Sequence, residues 1–204
     1  RNESTLAEFK KTLSKWQEAI NKDGWIALFL ENHDLTRSVS KLGNDKEYWK
    51  ESAKALALMY FMQGGTPFIY QGQEIGMTNA DYNSINDFDD VATIYRYKER
   101  IMNGMPKEES LEIVKATTRD NARTPMQWSS TKNGGFTDGD PWLKVNENYK
   151  KINVEDQLQD NDSILNFYKD MIRIRKENVG LIYGKYAFVV EQKDEVYAYT
   201  RILD

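Results

Sequence analysis

The chain has 204 residues, of which 40% are hydrophobic, 29% charged and 12% aromatic, a composition that excludes a disordered, collagen-like or coiled-coil protein. Lys and Arg number 28 against 32 Asp and Glu, so the formal net charge is −4, and the sequence has no basic stripe that could neutralise a phosphate backbone. Nucleic acid and anionic membrane surfaces are therefore not expected as partners.

Cysteine and histidine usage narrows the chemistry further. The absence of Cys excludes disulfides, thiolate metal sites and thiol nucleophiles, and it favours a reducing compartment, the cytoplasm. His33 is the single histidine, so a zinc motif with paired histidines is excluded, and we expect no metal and no cofactor. The longest apolar run, Ala55 to Met62, has eight residues, far below the roughly 18 of a membrane span. Because the chain runs from Arg1 to Asp204 without an initiator Met or a signal segment, we expect a piece of a longer protein.

The first predicted elements are an amphipathic helix and a buried strand. Thr5 and Glu8 have the arrangement of a capping box, and apolar residues then recur at spacings of three and four as far as Ile20, which is typical of a helix. Residues 25–30 are an uninterrupted apolar run of strand length. This run predicts a strand covered on both faces and therefore a parallel sheet.

A second helix and a second strand follow after a polar loop. Helical spacing runs from Lys46 to Gln63 and ends at Gly64-Gly65, and residues 66–70 again have the pattern of a buried strand. Strand, helix and strand with short connections form the parallel crossover unit of a doubly wound sheet or a (β/α)8 barrel.

A long polar segment separates this unit from the C-terminal elements. Residues 71–160 are predicted to hold one helix, from about Phe88 to Met102, in otherwise irregular chain, and a connection of that length usually serves a binding or active site. A helix capped by Asp162 or Ser163 is then predicted to end near Gly180. An antiparallel hairpin is predicted last, with strands at Tyr186–Val190 and Val196–Thr200 and a turn at Gln192–Asp194.

Two carboxylates and an imidazole lie just beyond the first predicted strand, in Glu31-Asn32-His33-Asp34. In parallel α/β folds the loops at the carboxyl ends of the strands converge on one mouth, where functional groups lie. These side chains could serve glycoside hydrolysis, in which carboxylates transfer protons and stabilise an oxocarbenium-like charge. The residues alone are equally compatible with a helix-capping Asp and a loop His that bonds to a backbone carbonyl.

A second candidate lies in the long polar segment, where Arg119 and Arg123 are four residues apart and an Asp lies between them. Guanidinium groups hold hydroxyls and carboxylates in a fixed fork, so the pair suits a polar ligand, although a surface ion-pair network has the same pattern. The glycines have no phosphate-loop spacing, so nucleotide binding is not expected. Three aromatic residues could either stack on sugar rings or anchor the long loop: Trp128, Phe136 and Trp142.

Three stretches together resemble the oligo-1,6-glucosidase and α-glucosidase branch of the α-amylase family. They are Phe29 to Asp34, Gly65 to Met77 and Arg119 to Trp128, and they occur in the family's order. The resemblance covers nearly the whole chain and implies an α/β fold, the C-terminal part of a (β/α)8 TIM barrel with strands seven and eight and their helices. It further implies that residues 1–180 belong to this barrel and that residues 181–204 begin an antiparallel β domain.

The resemblance also implies roles for five residues. In the family the Asn-His-Asp motif follows the seventh barrel strand, so Asp34 matches the third catalytic carboxylate and His33 a ligand of the sugar in the cleavage subsite. Arg119, the first arginine of Arg-Asp-Asn-Ala-Arg, matches the residue that helps hold the non-reducing terminal glucose. Arg123 and Arg37 are expected to contact the substrate as well, although Arg37 follows Leu-Thr where many relatives have Gln-Pro.

Two motifs of the family do not occur in this sequence. The nucleophile of the family lies in a Gly-Phe-Arg-x-Asp motif after the fourth strand, and the acid/base Glu follows the fifth strand. A retaining mechanism needs both carboxyl groups, about 5 to 5.5 Å apart, so the chain alone is expected to be inactive. It is also expected to self-associate through exposed strand edges.

The resemblance implies that the longer protein is an exo-acting α-glucosidase that cleaves α-1,6 bonds of small isomalto-oligosaccharides with retention. Trehalose-6-phosphate hydrolase, dextran glucosidase and sucrose isomerase of the same branch remain alternatives. A non-catalytic member of the family that acts as a binding or interaction protein is an alternative of a different class.

Overall fold

A computed structural model of the protein describes residues 5–189 and 196–203. None of the helices in these ranges is both long and apolar enough to cross a membrane. The helices and strands are, in chain order, α1 (Leu6–Asp23), β1 (Ala27–Leu28), α2 (Ser38–Leu42), α3 (Trp49–Phe61), β2 (Thr66–Pro67), α4 (Val91–Met102), α5 (Lys107–Thr117), α6 (Asp120–Arg123), α7 (Val154–Gln159), α8 (Ile164–Glu177), α9 (Val179–Tyr183), β3 (Lys185–Phe188) and β4 (Tyr199–Ile202).

The described residues form two compact units. The first contains residues 5–29, 57–68, 169–189 and 196–203, and the second contains residues 30–56 and 69–168. The β3–β4 hairpin therefore belongs to the same unit as β1 and β2. The domain boundary expected after residue 180 stays a prediction.

In the first unit, β1 and β2 are parallel, with Leu28 opposite Pro67. Because α3 lies between them in the chain, strand, helix and strand form the predicted crossover unit of a (β/α)8 barrel. Thr66 N donates to Ile26 O at 2.8 Å and Phe68 N donates to Leu28 O at 2.7 Å. Pro67 has no N–H, so it donates no hydrogen bond to the pair.

Both strands are shorter and less covered than the apolar runs at 25–30 and 66–70 predicted. Each has two residues, and the side chains of Trp25 and Phe29 are about half exposed. Among the described residues β1 pairs with β2 alone, so no second neighbouring strand supports the run. The expectation of a strand covered on both faces is therefore wrong for the part of the chain that the structure describes.

The first unit also contains α1 and the hairpin, which pack against each other. The predicted capping box of α1 is confirmed: Glu8 N donates to Thr5 Oγ1 at 3.2 Å, and Thr5 N donates to Glu8 Oε2 at 3.0 Å. The predicted hairpin is confirmed as well, because β3 and β4 are antiparallel. Its predicted turn at Gln192–Asp194 and the strand end at Val190 lie outside the described residues.

The other helices agree with the sequence prediction only in part. The second predicted helix, Lys46–Gln63, is confirmed as α3. The Ser163 hydroxyl accepts a hydrogen bond from Asn166 N at 3.1 Å, so Ser163 caps α8. The chain past α8 differs from the prediction, because α8 ends at Glu177 and the shorter α9 follows as a separate helix.

The long polar segment contains more helix than the sequence predicted. The single helix expected there corresponds to α4, but α5, α6 and α7 lie in the same segment, so the expectation of one helix in residues 71–160 is wrong. The pattern of α5 is weak because few of its residues are apolar and, of these, Val114 is buried. Its start carried a usable signal, since Glu108 and Glu109 lie in the first turn, where acidic residues favour a helix.

Two apolar cores hold the second unit together. Met126 belongs to one core and Val114 to the other, so the polar stretch between these residues is anchored at both ends. The first core consists of Ile75, Met77, Met126 and Ile152, with Trp49, Val154 and Leu165 packed against it. The second consists of Ala80, Tyr82, Phe88 and Val114, with Ile85, Ile94, Tyr97 and Leu111 packed against it.

Candidate active site

The loop that follows β1 presents two candidate side chains from a fixed turn. Asn32 Oδ1 accepts a hydrogen bond from Asp34 N at 2.8 Å, and Leu35 N donates to Asn32 O at 3.2 Å. An Asn side chain that bonds the backbone two residues further on forms an Asx turn. The turn leaves the side chains of His33 and Asp34 accessible, with 71% and 49% of their surface exposed.

Three basic side chains of the second unit converge on Asp34. Arg119 Nη1 lies 3.2 Å and Arg123 Nη2 lies 3.1 Å from Asp34 Oδ1, and His33 Nε2 lies 3.3 Å from Asp34 Oδ2. Arg123 Nε also donates to His33 O at 3.0 Å, which ties this arginine to the backbone of the turn. The structure thus brings together four of the five predicted site residues around one half-exposed carboxylate.

Arg119 is held on its other side by Asp90. Nη2 of Arg119 donates a short hydrogen bond to Asp90 Oδ1, and the buried Asp90 also accepts from Thr93 Oγ1 at 2.8 Å and Ala92 N at 3.4 Å. Burial acts to raise the pKa of Asp90, but the bonds from Arg119 and Thr93 outweigh it and lower the pKa to about 2. The hydrogen bond and charge of Asp90 in turn raise the pKa of Arg119. Both groups are therefore charged at neutral pH.

The middle residues of the motif Arg119–Arg123 point into the protein and hold neighbouring loops. Asp120 Oδ2 accepts the backbone N–H groups of Asp89 at 2.9 Å and Asp90 at 3.0 Å. Asn121 bonds through its side-chain oxygen and nitrogen to backbone groups at 3.0 and 2.8 Å. Because these middle side chains are fully buried, the two arginines at the ends of the motif start from a fixed backbone.

Arg37 differs from the expectation that it contacts the substrate. Its guanidinium is fully buried, and a guanidinium has five N–H donors, all of which face acceptors here. The structure therefore corrects that expectation: no donor of Arg37 remains for a ligand, and the side chain instead ties the loop after β1 to the loop after β2 and to α6. The acceptors lie at 2.7 to 3.8 Å and are Glu31 Oε2, Met77 Sδ and the backbone O atoms of Gln71, Asn121 and Ala122.

Glu31, the ion-pair partner of Arg37, also has a structural role. Oε2 of Glu31 pairs with Arg37 Nη1 at 3.1 Å, and Oε1 accepts both Ser38 N at 2.8 Å and Ser38 Oγ at 2.7 Å. The carboxylate thus lies at the first residue of α2 and is buried. Of the two carboxylates in the Glu31–Asp34 stretch, Asp34 is the one that a ligand can reach.

Trp142 adds an aromatic ring near the arginine site. Its indole Nε1 donates to Asp89 Oδ2 at 2.7 Å while the residue stays 69% exposed. Trp128 and Phe136 are each half exposed, and no acceptor lies within hydrogen-bonding distance of Trp128 Nε1 in the described ranges.

Sequence reasoning missed Asp89 and Asp90. The available signal was an Asp directly before Val91, where α4 begins, since Asp is a preferred N-cap.

An open cavity of about 810 Å³ lies elsewhere in the second unit, and none of the predicted site residues lines it. Its lining is mostly polar and includes Lys46, Asn79, Asp81, Lys115 and Asn146. Within residues 5–189 and 196–203, no group of three or more His, Cys, Asp or Glu side chains is placed to hold a metal ion.

Comparison with known proteins agrees with this architecture. The chain matches the family described as Alpha amylase, catalytic domain, over residues 2–184. The oligo-1,6-glucosidase of Halalkalibacterium halodurans is 48% identical over 96% of this chain and 35% of its own length. The crystal structure of trehalose-6-phosphate hydrolase of Bacillus licheniformis is 47% identical, with a TM-score of 0.92 over 95% of this chain and 35% of that chain.

A second solved structure, isomaltulose synthase of Erwinia rhapontici NX5, is 45% identical, with a TM-score of 0.93 over 100% of this chain and 37% of that chain. The chain spans about a third of the length of these relatives. With a family match over residues 2–184 and the parallel crossover unit in place, the chain belongs to the α-amylase family and forms the C-terminal part of its (β/α)8 catalytic barrel.

Proposed function

We propose that the chain is part of a longer protein, an exo-acting α-glucosidase that cleaves α-1,6 bonds of isomalto-oligosaccharides with retention. The observation that carries the proposal is the convergence of Arg119 and Arg123 on Asp34, at 3.2 and 3.1 Å from the same carboxylate oxygen. A partly exposed carboxylate beside guanidinium donors and an imidazole suits a ligand rich in hydroxyl groups. The Cys-free composition supports a place in the reducing cytoplasm.

Asp34 is assigned the stabilisation of positive charge in the transition state. Glycoside hydrolysis passes through an oxocarbenium-like state, and a fixed carboxylate beside the sugar favours that charge. Glu31 and Asp90 do not compete for the role, because each is buried and bonded within the protein. The nucleophile and the acid/base Glu are assigned to segments outside these 204 residues, since the family's motifs for them do not occur here.

His33 and Arg119 are assigned to the hydroxyl groups of the terminal glucose. Arg119 bridges Asp34 and Asp90, so its guanidinium plane is fixed before a ligand arrives, which lowers the entropic cost of binding. Arg123 is assigned chiefly to the turn, because Nε bonds to the backbone of His33 while Nη2 reaches Asp34.

Trehalose-6-phosphate hydrolysis and sucrose isomerisation are the second candidates. The identity to a trehalose-6-phosphate hydrolase, 47%, and to an isomaltulose synthase, 45%, is close to the 48% identity to an oligo-1,6-glucosidase, so overall likeness does not separate them. Both arginines of the cluster are already paired with carboxylates, which favours an uncharged sugar over a phosphorylated one.

The experiment is an assay of the longer protein on isomaltose, trehalose-6-phosphate and sucrose at equal concentrations, with NMR detection of the first anomer released. The proposal expects the highest kcat/KM on isomaltose and release of the α-anomer. A higher kcat/KM on trehalose-6-phosphate or sucrose would overturn the assignment of isomaltose and make that sugar the substrate. Binding of isomaltose without turnover of any of the three would make the protein a non-catalytic member of the family.

A further inference from the structure

Asp89 and Asp90 are adjacent, and each holds a different side chain. Asp90 Oδ1 accepts from Arg119 Nη2, and Asp89 Oδ2 accepts from Trp142 Nε1 at 2.7 Å. The backbone N–H groups of both aspartates donate to the same oxygen of the buried Asp120, at 2.9 and 3.0 Å. The buried carboxylate of Asp120 therefore fixes the backbone of Asp89 and Asp90. These two residues in turn hold the indole of Trp142 and the guanidinium of Arg119.

Trp142 is exposed and at the same time oriented. The residue is 69% exposed, whereas the next residue, Leu143, is buried and anchors the backbone. Its bond to Asp89 fixes one edge of the indole, so the ring faces remain accessible while the ring keeps one orientation. An isolated apolar ring in water gains by covering a face, and a ring that is already oriented loses little entropy on binding.

The surroundings of Trp142 favour a ligand with hydroxyl groups. Asp138, Asp140 and Lys144 are exposed and charged, so the ring stands within a polar rim rather than in a broad apolar patch. A pyranose ring presents C–H groups on its face and hydroxyl groups on its edge. Stacked on the indole, its edge hydroxyls would meet the exposed Asp89 carboxylate.

We propose that Trp142 is the platform of an additional glucosyl subsite, on which the second sugar unit on the reducing side of the cleaved bond stacks, a unit that isomaltotriose has and isomaltose lacks. This rests on the proposed function, in which Arg119 holds the terminal glucose on the other side of that bond. The adjacent residues Asp89 and Asp90 hold Trp142 and Arg119, which links the platform to the arginine that holds the terminal glucose. Trp128 has no such hydrogen bond within residues 5–189 and 196–203 and is not assigned to it.

The test compares kcat/KM for isomaltose and isomaltotriose in the longer protein. Trp142→Ala is expected to lower kcat/KM for isomaltotriose about tenfold, mainly through KM, because the apolar surface buried between the sugar and the indole is lost. The variant is expected to affect isomaltose less. Trp142→Phe keeps an apolar ring face but loses the hydrogen bond to Asp89, so it is expected to restore only part of the loss. Trp128→Ala is the matched control and is expected to show no dependence on substrate length.

Losses of equal size on both sugars, or no loss on either, would overturn the subsite. If the unsubstituted protein turns over neither sugar, the proposed function fails instead, and calorimetric titration with isomaltotriose decides the subsite independently. Weaker binding by Trp142→Ala than by the unsubstituted protein then supports the platform, and equal binding overturns it.

Discussion

Arg119 and Asp34 form an ion pair, with Nη1 of Arg119 3.2 Å from Oδ1 of Asp34, and both side chains stay partly exposed. An exposed ion pair contributes little to folding stability. Its consequence is positional, because it links the start of the Arg-Asp-Asn-Ala-Arg motif to the loop after β1. Kinetic measurements should therefore respond to this pair more strongly than stability measurements do.

Replacement of the two arginines should separate substrate binding from loop stability. Arg119→Ala in the longer protein is expected to lower kcat/KM for isomaltose about ten- to a hundredfold, because a hydrogen bond to a charged donor contributes about 1.5 to 3 kcal/mol. Arg123→Ala is expected to lower the melting temperature more, since Arg123 bonds to the backbone of His33. Equal kinetic defects with unchanged melting for both variants would contradict this division of roles.

Asp90 should make a stability contribution that depends on pH. The pKa of Asp90 falls from its ordinary 3.8 to about 2 in the folded protein, so the contribution is present above about pH 4 and is lost as the pH falls through 2. Asp90→Asn is expected to lower the free energy of unfolding by about 2 kcal/mol at pH 7. Urea titrations at pH 7, 4 and 2.5 check whether the difference from the unsubstituted protein shrinks towards low pH.

The control for Asp90 is the half-exposed Asp160, which pairs with Lys50 at 3.1 Å. Asp160→Asn is expected to change the free energy of unfolding much less than Asp90→Asn does, because exposed ion pairs contribute little. A pH-independent effect of Asp90→Asn would show that its charge does not matter for the fold.

The buried pair of Arg37 and Glu31 should be a stability determinant. Arg37→Ala leaves the Glu31 carboxylate buried without its cation, so the free energy of unfolding is expected to fall by about 3 to 5 kcal/mol. The double variant Arg37→Met with Glu31→Gln is expected to recover part of this loss, because neither charge then remains buried. Arg173→Ala breaks exposed salt bridges on α8 and serves as the control, with a much smaller expected effect. Equal effects of Arg37→Ala and Arg173→Ala in urea titrations would contradict the assignment.

The 204-residue chain on its own is expected to hydrolyse no glycoside and to self-associate. The family's nucleophile and acid/base motifs do not occur in it, and Trp25, Phe29 and Phe68 present half-exposed apolar rings on or beside β1 and β2. An assay on an aryl α-glucoside, with light scattering for size, checks both points. Turnover in a preparation free of host glucosidase, or a stable monomer, would count against the respective expectation.

Sequence patterns predicted the features that depend on residues close together in the sequence. The Thr5–Glu8 capping box and the spacing of α8 are local, and both appear in the structure. The weak apolar pattern of α5 hid a helix of 11 residues, because its stability comes from packing against α4 rather than from its own sequence. The short strand β1 likewise depends on its pairing with β2, which lies about 40 residues further along the chain and is not visible in the local pattern.

In the candidate site, too, the sequence predicted the residues of one local motif but not the contacts between distant residues. The Asn-His-Asp motif led to Asp34 and His33, which share one turn. The pairing of Asp90 with Arg119 joins residues 29 positions apart, and no local sequence pattern predicts it. Arg37 was misassigned for a related reason: its position beside the motif suggested a ligand contact, whereas burial is decided by distant backbone carbonyls.

Steady-state kinetics of Asp34→Asn in the longer protein on isomaltose decide whether this carboxylate acts in catalysis. Asn has nearly the same shape and still offers an oxygen to Arg119 and Arg123, so melting should change little. If Asp34 stabilises the transition state, kcat falls by orders of magnitude while KM stays within a few fold. An unchanged kcat would contradict a catalytic role and leave Asp34 as a residue that only shapes its loop.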